Sequence, residues 1–355
     1  MKIVTVIGNR PQFVKAAAVS GLLRREHEEV LVHTGQHYDD ELSTIFVTEL
    51  GMPRPEIELG LGGGTNFEQT ARMLGALGDL LREQAPDAVL VYGDTNSTLA
   101  GALAAAQLRV PLAHVEAGMR SYDRAMPEEL NRVLTDHAAD LLLVPSEGAA
   151  ANLAREGVAG HVEVVGDVMV DVAALLAPRA RADDGPLLAA GVRAGEYLLV
   201  TAHRAGNVDD PARLALLVDL LLSLDAPVVL PLHPRTRSRL EAAGLLERLA
   251  AGAILLPPLG PLAFTSLLTR ARAVLTDSGG VQKEAYLAGV PCVTLRDTTE
   301  WVETVQAGWN VLVDLDAGAA CAALERDMPA QRPQLYGDGH AAQRVVGAMA
   351  RLGPR

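Results

Sequence analysis

The most informative stretch of the chain is Thr276-Asp277-Ser278-Gly279-Gly280-Val281-Gln282-Lys283-Glu284. The apolar run 273–275 before it is typical of a short buried strand, and residues 285–288 continue as a helix. Its two glycines therefore lie where a strand turns into a helix, and they let the backbone approach a ligand closely. The unpaired first-turn N–H groups and the helix dipole suit a diphosphate, and Glu284 suits ribose hydroxyls. A glycine-rich turn capped by Ser278 explains the same residues equally well.

On both sides of this turn, short β-branched runs alternate with longer Ala- and Leu-rich stretches. The strand candidates are 3–7, 29–33, 88–92, 111–115, 141–144 and 162–165, then 197–201, 228–231, 254–256, 273–276 and 291–295. Helix candidates between them include 14–24, 67–83, 97–107 and 212–222. The alternation predicts an α/β fold with two Rossmann-like domains, each a parallel sheet with helices on both faces.

The two strand series place a domain boundary near residue 170. We expect an N-terminal domain over 1–170, a C-terminal domain over 171–337, and a helical tail over 338–355 that packs back on the first domain. The segment 178–195 is rich in Pro, Gly, Arg and Asp, which indicates an exposed loop. Two such domains facing one another would leave a cleft lined by the carboxyl ends of their strands, where ligands bind.

Composition and charge disfavour several classes of partner and site. The 355 residues carry a net charge of −13, which disfavours nucleic-acid or membrane-surface partners. The two cysteines, Cys292 and Cys321, match no metal or disulfide spacing, and Cys292 is expected in a buried strand. The first residues are typical of a strand and not of a signal peptide, and no apolar run reaches membrane-spanning length. We therefore expect a cytoplasmic protein without a metal.

Arg10 follows the first strand directly, within Gly8-Asn9-Arg10-Pro11-Gln12. Its forked guanidinium suits a phosphate at the mouth of the sheet, although a surface arginine in a turn is the simpler alternative. The second and third glycines of a dinucleotide fingerprint are missing after Gly8, so NAD is disfavoured.

Three acidic residues of the first domain stand at the ends of elements. Asp94 follows the strand 88–92, Glu116 follows 111–115, and Glu128 opens a helix after Pro127. Asp94 alone is typical of a helix N-cap and Glu128 of a first-turn glutamate. A fold that brings the three together would supply a general acid and a general base.

The second domain repeats this arrangement with basic residues. His203 and Arg204 end its first strand and suit a pyrophosphate leaving group, while Arg296 closes the strand 291–295 and should lie beside the Ser278 turn. His233 and Arg235 end the next strand, where a structural role is favoured over phosphate binding.

These motifs, in this order, resemble the non-hydrolysing UDP-N-acetylglucosamine 2-epimerases over nearly the whole chain. In the first domain the motifs are Gly8-Asn9-Arg10-Pro11, Thr34-Gly35-Gln36-His37, Gly93-Asp94-Thr95, His114-Val115-Glu116-Ala117-Gly118 and Pro127-Glu128-Glu129-Leu130-Asn131-Arg132. In the second they are Thr201-Ala202-His203-Arg204, His233-Pro234-Arg235-Thr236 and Asp277-Ser278-Gly279-Gly280-Val281-Gln282-Lys283-Glu284. Their ordered occurrence is far more specific than any single motif.

The resemblance implies a glycosyltransferase-B-like fold around a UDP cleft, a homodimer, and no cofactor. It implies that the diphosphate is bound by Arg10, His203, Ser278, Gly279 and Gly280, and the ribose by Glu284. It also places Lys15, Arg204 and Arg296 in the UDP-sugar site. The catalytic residues that it implies are Asp94, Glu116, Glu128 and His203.

The implied reaction is reversible interconversion of UDP-N-acetylglucosamine and UDP-N-acetylmannosamine. The proton on carbon 2 is not next to a carbonyl, so an epimerase must oxidise a neighbouring carbon or expel UDP first. The missing dinucleotide fingerprint disfavours oxidation. Anti elimination of UDP to a 2-acetamidoglucal, followed by re-addition, needs two proton-transfer groups and a stabilised diphosphate.

The sequence departs from the common family pattern at several positions, and one is Asn9-Arg10-Pro11-Gln12, where many members have Thr-Arg-Pro-Glu. Gly206 stands where many members have an acidic residue, and Trp301-Val302 replaces a common Arg-Pro, so the sugar pocket is expected to differ. Tyr38 replaces an arginine of many bacterial members, so we expect weaker or absent activation by a second UDP-N-acetylglucosamine.

Three other functions fit the same UDP site. A hydrolysing epimerase would let water trap the sugar, a glycosyltransferase of this fold would need an acceptor, and a regulator would bind the UDP-sugar without turnover. Incubation with UDP-N-acetylglucosamine alone distinguishes these functions. An epimerase forms UDP-N-acetylmannosamine, a hydrolysing enzyme forms free N-acetylmannosamine, and a transferase or regulator forms neither.

Overall fold

The computed structural model describes residues 1–36 and 48–353. The strands are β1 (Lys2–Ile7), β2 (Glu28–His33), β3 (Ile57–Glu58), β4 (Ala88–Tyr92), β5 (Leu112–Val115), β6 (Leu141–Val144), β7 (His161–Val164), β8 (Leu198–Thr201), β9 (Val228–Pro231), β10 (Ile254–Leu256), β11 (Ala273–Thr276), β12 (Cys292–Thr294) and β13 (Asn310–Leu312). The helices are α1 (Arg10–Glu26), α2 (Asn66–Gln84), α3 (Asn96–Leu108), α4 (Pro127–Ala138), α5 (Glu147–Glu156), α6 (Val168–Ala182), α7 (Gly185–Ala190), α8 (Ala205–Val208), α9 (Pro211–Leu222), α10 (Pro234–Ala242), α11 (Leu246–Ala250), α12 (Pro261–Leu268), α13 (Gly279–Ala288), α14 (Val302–Gln306), α15 (Ala317–Glu325) and α16 (Ala341–Met349).

The chain divides into two compact units, one of residues 1–175 with 336–355 and one of residues 176–335. The first holds a parallel sheet in the order β3-β2-β1-β4-β5-β6-β7. The strand order reverses between β1 and β4. Because crossovers between parallel strands are right-handed, this reversal places helices on both faces of the sheet. The buried apolar strands, such as 88–92, form the centre of its core.

The second unit holds a parallel sheet in the order β10-β9-β8-β11-β12-β13. Its order reverses between β8 and β11, so it repeats the doubly wound arrangement of the first unit. The predicted α/β class with two Rossmann-like domains is confirmed. Strands β3 and β13 were not predicted, because two and three residues are too few to show an alternating pattern.

The predicted exposed loop over 178–195 is wrong. Helix α6 continues through Pro178 to Ala182, and α7 follows almost at once. Leu187 and Ala190 of α7 are buried against the core of the second unit. The Pro, Gly and Asp residues of the segment stand at helix starts and ends, which composition alone does not distinguish from a loop.

The C-terminal helix α16 packs against α1 in the first unit. The backbone N–H groups of Ala341 and Ala342 donate to the carboxylate of Asp171 at 3.1 Å and 3.0 Å. Its Val345 and Met349 side chains are fully buried. The division between the units falls inside α6, a few residues beyond the boundary expected near residue 170.

Cys292 lies buried in β12, and burial raises the pKa of its thiol to about 12. Because the thiolate is the reactive form, we expect no alkylation of Cys292 by iodoacetamide at neutral pH in the folded protein. Peptide mass spectrometry after brief labelling measures this, with alkylation in denaturant as the positive control. Rapid labelling of Cys292 in the native protein would contradict its buried position.

Candidate active site

Three of the predicted site residues follow strands at the carboxyl edge of the first sheet. Arg10 begins α1 directly after β1, Asp94 follows β4, and Glu116 follows β5. Strands β1 and β4 flank the point where the strand order reverses, and such points are where open α/β sheets bind ligands.

Lys15 and Glu116 form an ion pair, with side chains only 13% and 16% exposed. Burial would lower the pKa of Lys15, but the charges of Glu116, Asp94 and Asp167 outweigh burial and raise it. Lys15 therefore stays an ammonium at neutral pH and favours the carboxylate form of Glu116, which is the form that a general base needs.

The backbone also brings Glu116 close to the loop after β4. Glu116 has a φ of 72°, in the left-handed region that costs a non-glycine residue about 1–3 kcal/mol. Gly93 has a φ of 60°, and a Cβ there would lie 3.3 Å from Glu116 Oε2 and 3.4 Å from Lys15 Nζ. Only a glycine at position 93 leaves this pair its present room.

Asp94 accepts a hydrogen bond from Arg132 Nη2 at 2.5 Å, and its backbone carbonyl accepts one from Asn131 at 2.9 Å. The alternative that Asp94 caps α3 is wrong. The N-cap is Thr95, whose hydroxyl accepts from the Thr98 N–H at 3.2 Å. The carboxylate of Asp94 is thus placed by α4 and not by the helix that follows it.

Glu128 and Glu129 begin α4 but differ in their surroundings. The Glu128 side chain is exposed and makes no hydrogen bond or ion pair with another residue that the structure describes. Glu129 is buried and accepts from the backbone N–H groups of Ser121 and Tyr122 and from Arg132. The sequence does not distinguish Glu129 from Glu128, although Glu129 fixes the backbone before α4 through its bonds to Ser121 and Tyr122. Glu128 remains the one that can reach a ligand.

In the second unit, the Ser278 turn lies after β11, next to the reversal of strand order. Ser278 occupies the N-cap position of α13, but its side chain caps no N–H group, and its own N–H donates to Thr276 Oγ1 at 2.9 Å. The first turn of α13 carries no acidic residue. The helix start therefore keeps the N–H groups and partial positive charge that suit a phosphate.

Asp277 organises the neighbouring loop after β8. Its fully buried carboxylate accepts from the backbone N–H groups of His203 and Arg204 at 3.1 Å and 3.0 Å, and from Asn207 at 3.2 Å. The His203 side chain stays 42% exposed, with its ring centroid 5.7 Å from that of His233. The sequence pattern alone does not assign a role to Asp277, because the burial of its carboxylate is a tertiary feature.

Arg204 and Arg296 both donate to Glu300, at 3.2 Å and 2.9 Å. Burial would raise the pKa of Glu300, but the guanidiniums outweigh it and lower the pKa. A Cβ on Gly279 would lie 3.2 Å from Glu300 Oε2, so this cluster lies against the start of α13, as predicted for Arg296. The Trp301 indole donates to the Gly279 carbonyl at 2.7 Å.

The remaining predicted positions are placed as follows. Glu284 is half-buried in the middle of α13. His233 is the N-cap of α10, where its Nδ1 accepts from Arg235 N, and Arg235 pairs with Asp209. Tyr38 lies outside the described residues.

Within the described ranges, no group of three or more His, Cys, Asp or Glu side chains is placed to hold a metal ion. No helix of these ranges has the length and apolarity to cross a membrane.

The family model for UDP-N-acetylglucosamine 2-epimerase matches residues 22–350. The chain belongs to the UDP-N-acetylglucosamine 2-epimerase family. The UDP-2,3-diacetamido-2,3-dideoxy-D-glucuronate 2-epimerase of Pseudomonas aeruginosa is 47% identical over 364 residues, which cover 99% of this chain and 100% of that protein. A 2-epimerase family member is thus similar along its full length, as the motifs indicated.

Solved structures agree with the family and the fold. The UDP-GlcNAc 2-epimerase of Methanocaldococcus jannaschii, in complex with UDP-GlcNAc and UDP, is 38% identical with a TM-score of 0.88, covering 99% of this chain and 100% of that chain. A UGT enzyme of Glycyrrhiza uralensis is 12% identical with a TM-score of 0.58, covering 99% of this epimerase-family chain and 86% of its own. The second likeness concerns the fold alone, and it agrees with the predicted glycosyltransferase-B-like class.

Proposed function

We propose that this protein inverts carbon 2 of a UDP-N-acetylhexosamine by eliminating and re-adding UDP, with UDP-N-acetylglucosamine and UDP-N-acetylmannosamine as the two partners. The observation that carries the proposal is the Lys15–Glu116 ion pair beside Asp94, at the edge of the first sheet where ligands bind. A carboxylate held by a buried ammonium is suited to removing a proton from carbon.

In the elimination, one carboxylate takes the proton from carbon 2. The carbon–hydrogen electron pair forms the double bond to carbon 1. The bond from carbon 1 to the diphosphate oxygen breaks, and UDP leaves with the electron pair of that carbon–oxygen bond. Re-addition of UDP to carbon 1 with protonation of carbon 2 from the opposite face gives the epimer. We assign the proton transfers to Asp94, Glu116 and Glu128.

The groups of the second unit suit the leaving group. We assign the diphosphate to Ser278, Gly279 and Gly280 at the start of α13, together with His203. Arg10, at the first helix of the first unit, is assigned to the same diphosphate. Glu284 is assigned to the ribose.

Lys15, Arg204 and Arg296 each have a carboxylate partner within their own unit. For Lys15 this favours a role in holding Glu116 over direct binding of UDP. Arg204 and Arg296 are proposed to turn from Glu300 toward the diphosphate when the nucleotide binds.

A second substrate is favoured by one observation. The relative that is 47% identical acts on UDP-2,3-diacetamido-2,3-dideoxy-D-glucuronate, whereas the structure of the UDP-GlcNAc enzyme is 38% identical. The C2 chemistry would be the same for both sugars, because the 2-acetamido group and the UDP leaving group are unchanged. The two sugars differ in their substituents on carbons 3 and 5, so only the protein side chains that contact those substituents would have to differ.

The test is to incubate the purified protein with each UDP-sugar alone, without NAD or metal, and to follow products by NMR. We expect reversible formation of the C2 epimer, and the ratio of kcat/KM values identifies the preferred sugar. Free N-acetylmannosamine as the main product would indicate a hydrolysing enzyme. No turnover of either sugar would leave a transferase or a regulator.

We further propose that the protein is a homodimer, as the resemblance implies, and that it is located in the cytoplasm. Light scattering of the purified protein measures its oligomeric state, and cell fractionation determines its location.

A further inference from the structure

A buried network of charged side chains lies behind the two loops that carry Asp94 and Glu116. His114, in β5, is fully buried, and its Nδ1 lies 2.7 Å from Asp136 Oδ1 of α4. Its Nε2 lies 2.7 Å from the backbone carbonyl of Gly93. The imidazole therefore joins a residue of α4 to the loop that follows β4.

The hydrogen-bond partners of His114 determine which of its two ring nitrogens carry a proton. The Gly93 carbonyl can only accept, so Nε2 must carry a proton. The other oxygen of Asp136 faces two donors, the Gly118 N–H at 3.1 Å and the Arg120 guanidinium at 2.8 Å, which favour an ionised carboxylate. An ionised carboxylate also only accepts, so Nδ1 carries a proton too.

The charges in this network balance. Burial would raise the pKa of Asp136, but the hydrogen bond and charge of His114 and the guanidinium of Arg120 outweigh it and lower the pKa. Arg120 also donates to both oxygens of Glu156, at 2.8 Å and 2.6 Å. Two cations thus face two carboxylates, which is the condition for keeping buried charges.

The same network fixes the backbone on both sides of the proposed site. The Gly93 N–H donates to the Val115 carbonyl at 3.0 Å while its carbonyl accepts from His114, so the residue before Asp94 is bound at both ends. The Gly118 N–H, two residues after Glu116, is bound by Asp136. Between these bonds Glu116 keeps its left-handed backbone conformation.

We propose that His114 and Asp136 are positioning residues, with His114 a buried imidazolium that fixes the loops of Asp94 and Glu116 to one another. Its effect on turnover rests on the proposed function, whereas its protonation does not. Loss of the imidazolium should displace the carboxylates without touching the nucleotide-binding loops of the second unit.

The first test needs no substrate. At neutral pH, protein labelled with ¹⁵N-histidine should show a histidine with protons on both ring nitrogens, as the acceptors at its two nitrogens require. Loss of that signal in His114→Phe assigns it. The absence of any such histidine in the wild-type spectrum would overturn the imidazolium and with it the proposal.

The second test separates positioning from general stability. We expect His114→Phe to lower kcat by about 10²-fold while KM changes little, because small displacements of catalytic groups cost this much. Glu29→Gln is the matched control, since Glu29 is a buried carboxylate of the same sheet bonded to Thr5, Ser20 and Arg24 at the start of β2. It should lower the melting temperature and leave kcat near wild type.

Both variants are assayed well below their melting temperatures. A folded His114→Phe protein with wild-type kcat would overturn the positioning role, as would an equal loss of kcat in Glu29→Gln. Wild-type protein that turns over neither UDP-sugar would instead remove the proposed function, while the ¹⁵N spectrum would still decide the protonation of His114.

Discussion

Glu116→Gln is expected to lower turnover by about 10²-fold or more, the scale for a positioned acid–base group. The glutamine keeps the shape of the side chain but cannot take a proton from carbon 2, and Lys15 loses its charged partner. Asp94→Asn and Glu128→Gln should each lose a similar factor. Steady-state kinetics with UDP-N-acetylglucosamine measure the loss. UDP affinity should change little, because the nucleotide is assigned mainly to the start of α13 and to Glu284 in the second unit.

Deuterium provides the check on mechanism for these variants. Wild-type product formed in deuterated water should carry deuterium at carbon 2, and the three variants should lose this exchange together with turnover. Glu29→Gln is the control, since Glu29 is a buried carboxylate bonded to Thr5, Ser20 and Arg24, and its loss should affect stability and not turnover. Epimer formed without solvent deuterium would count against the elimination scheme.

Asp277→Asn is expected to weaken binding of the UDP-sugar and to raise KM by about tenfold or more. The buried carboxylate holds the His203 and Arg204 N–H groups and the Asn207 amide, and hydrogen bonds to a charged group contribute roughly 1.5–3 kcal/mol each. An asparagine turns one acceptor into a donor, so the loop loses its fixed position. Isothermal calorimetry with UDP measures the change directly.

Asp209→Asn is the matched control for this variant. It removes the same charge from the end of the same loop, but Asp209 pairs with Arg235 and Arg239 at the surface. Ion pairs of this exposed kind contribute little. UDP affinity should therefore stay near wild type in Asp209→Asn, and an equal loss in both variants would show that net charge and not the Asp277 bonds is responsible.

The sequence allowed the fold class and the strand ends to be predicted, because buried parallel strands are short apolar runs followed by polar residues. That is how Asp94, Glu116, His203 and Ser278 were recognised as edge residues. The partners of these residues could not be predicted. Lys15 and Glu116 are 101 residues apart, and only the strand order brings them together.

Two errors have physical causes of the same kind. Asp94 was weighed as a helix cap because Asp is common there, but Thr95 takes the cap and Arg132 takes the carboxylate. The segment 178–195 was assigned to a loop because its turn-forming residues were counted without the burial of Leu187. In both cases tertiary contacts outweighed the local preference.

The return of helix α16 to the first unit has a consequence for how the chain is made. Residues 176–335 are contiguous, so the second unit is synthesised as one uninterrupted segment. The first unit is not, since the helix that packs on α1 follows the whole second unit in the sequence. In the nascent first unit, the surface of α1 that contacts α16 therefore stays uncovered until α16 has been synthesised.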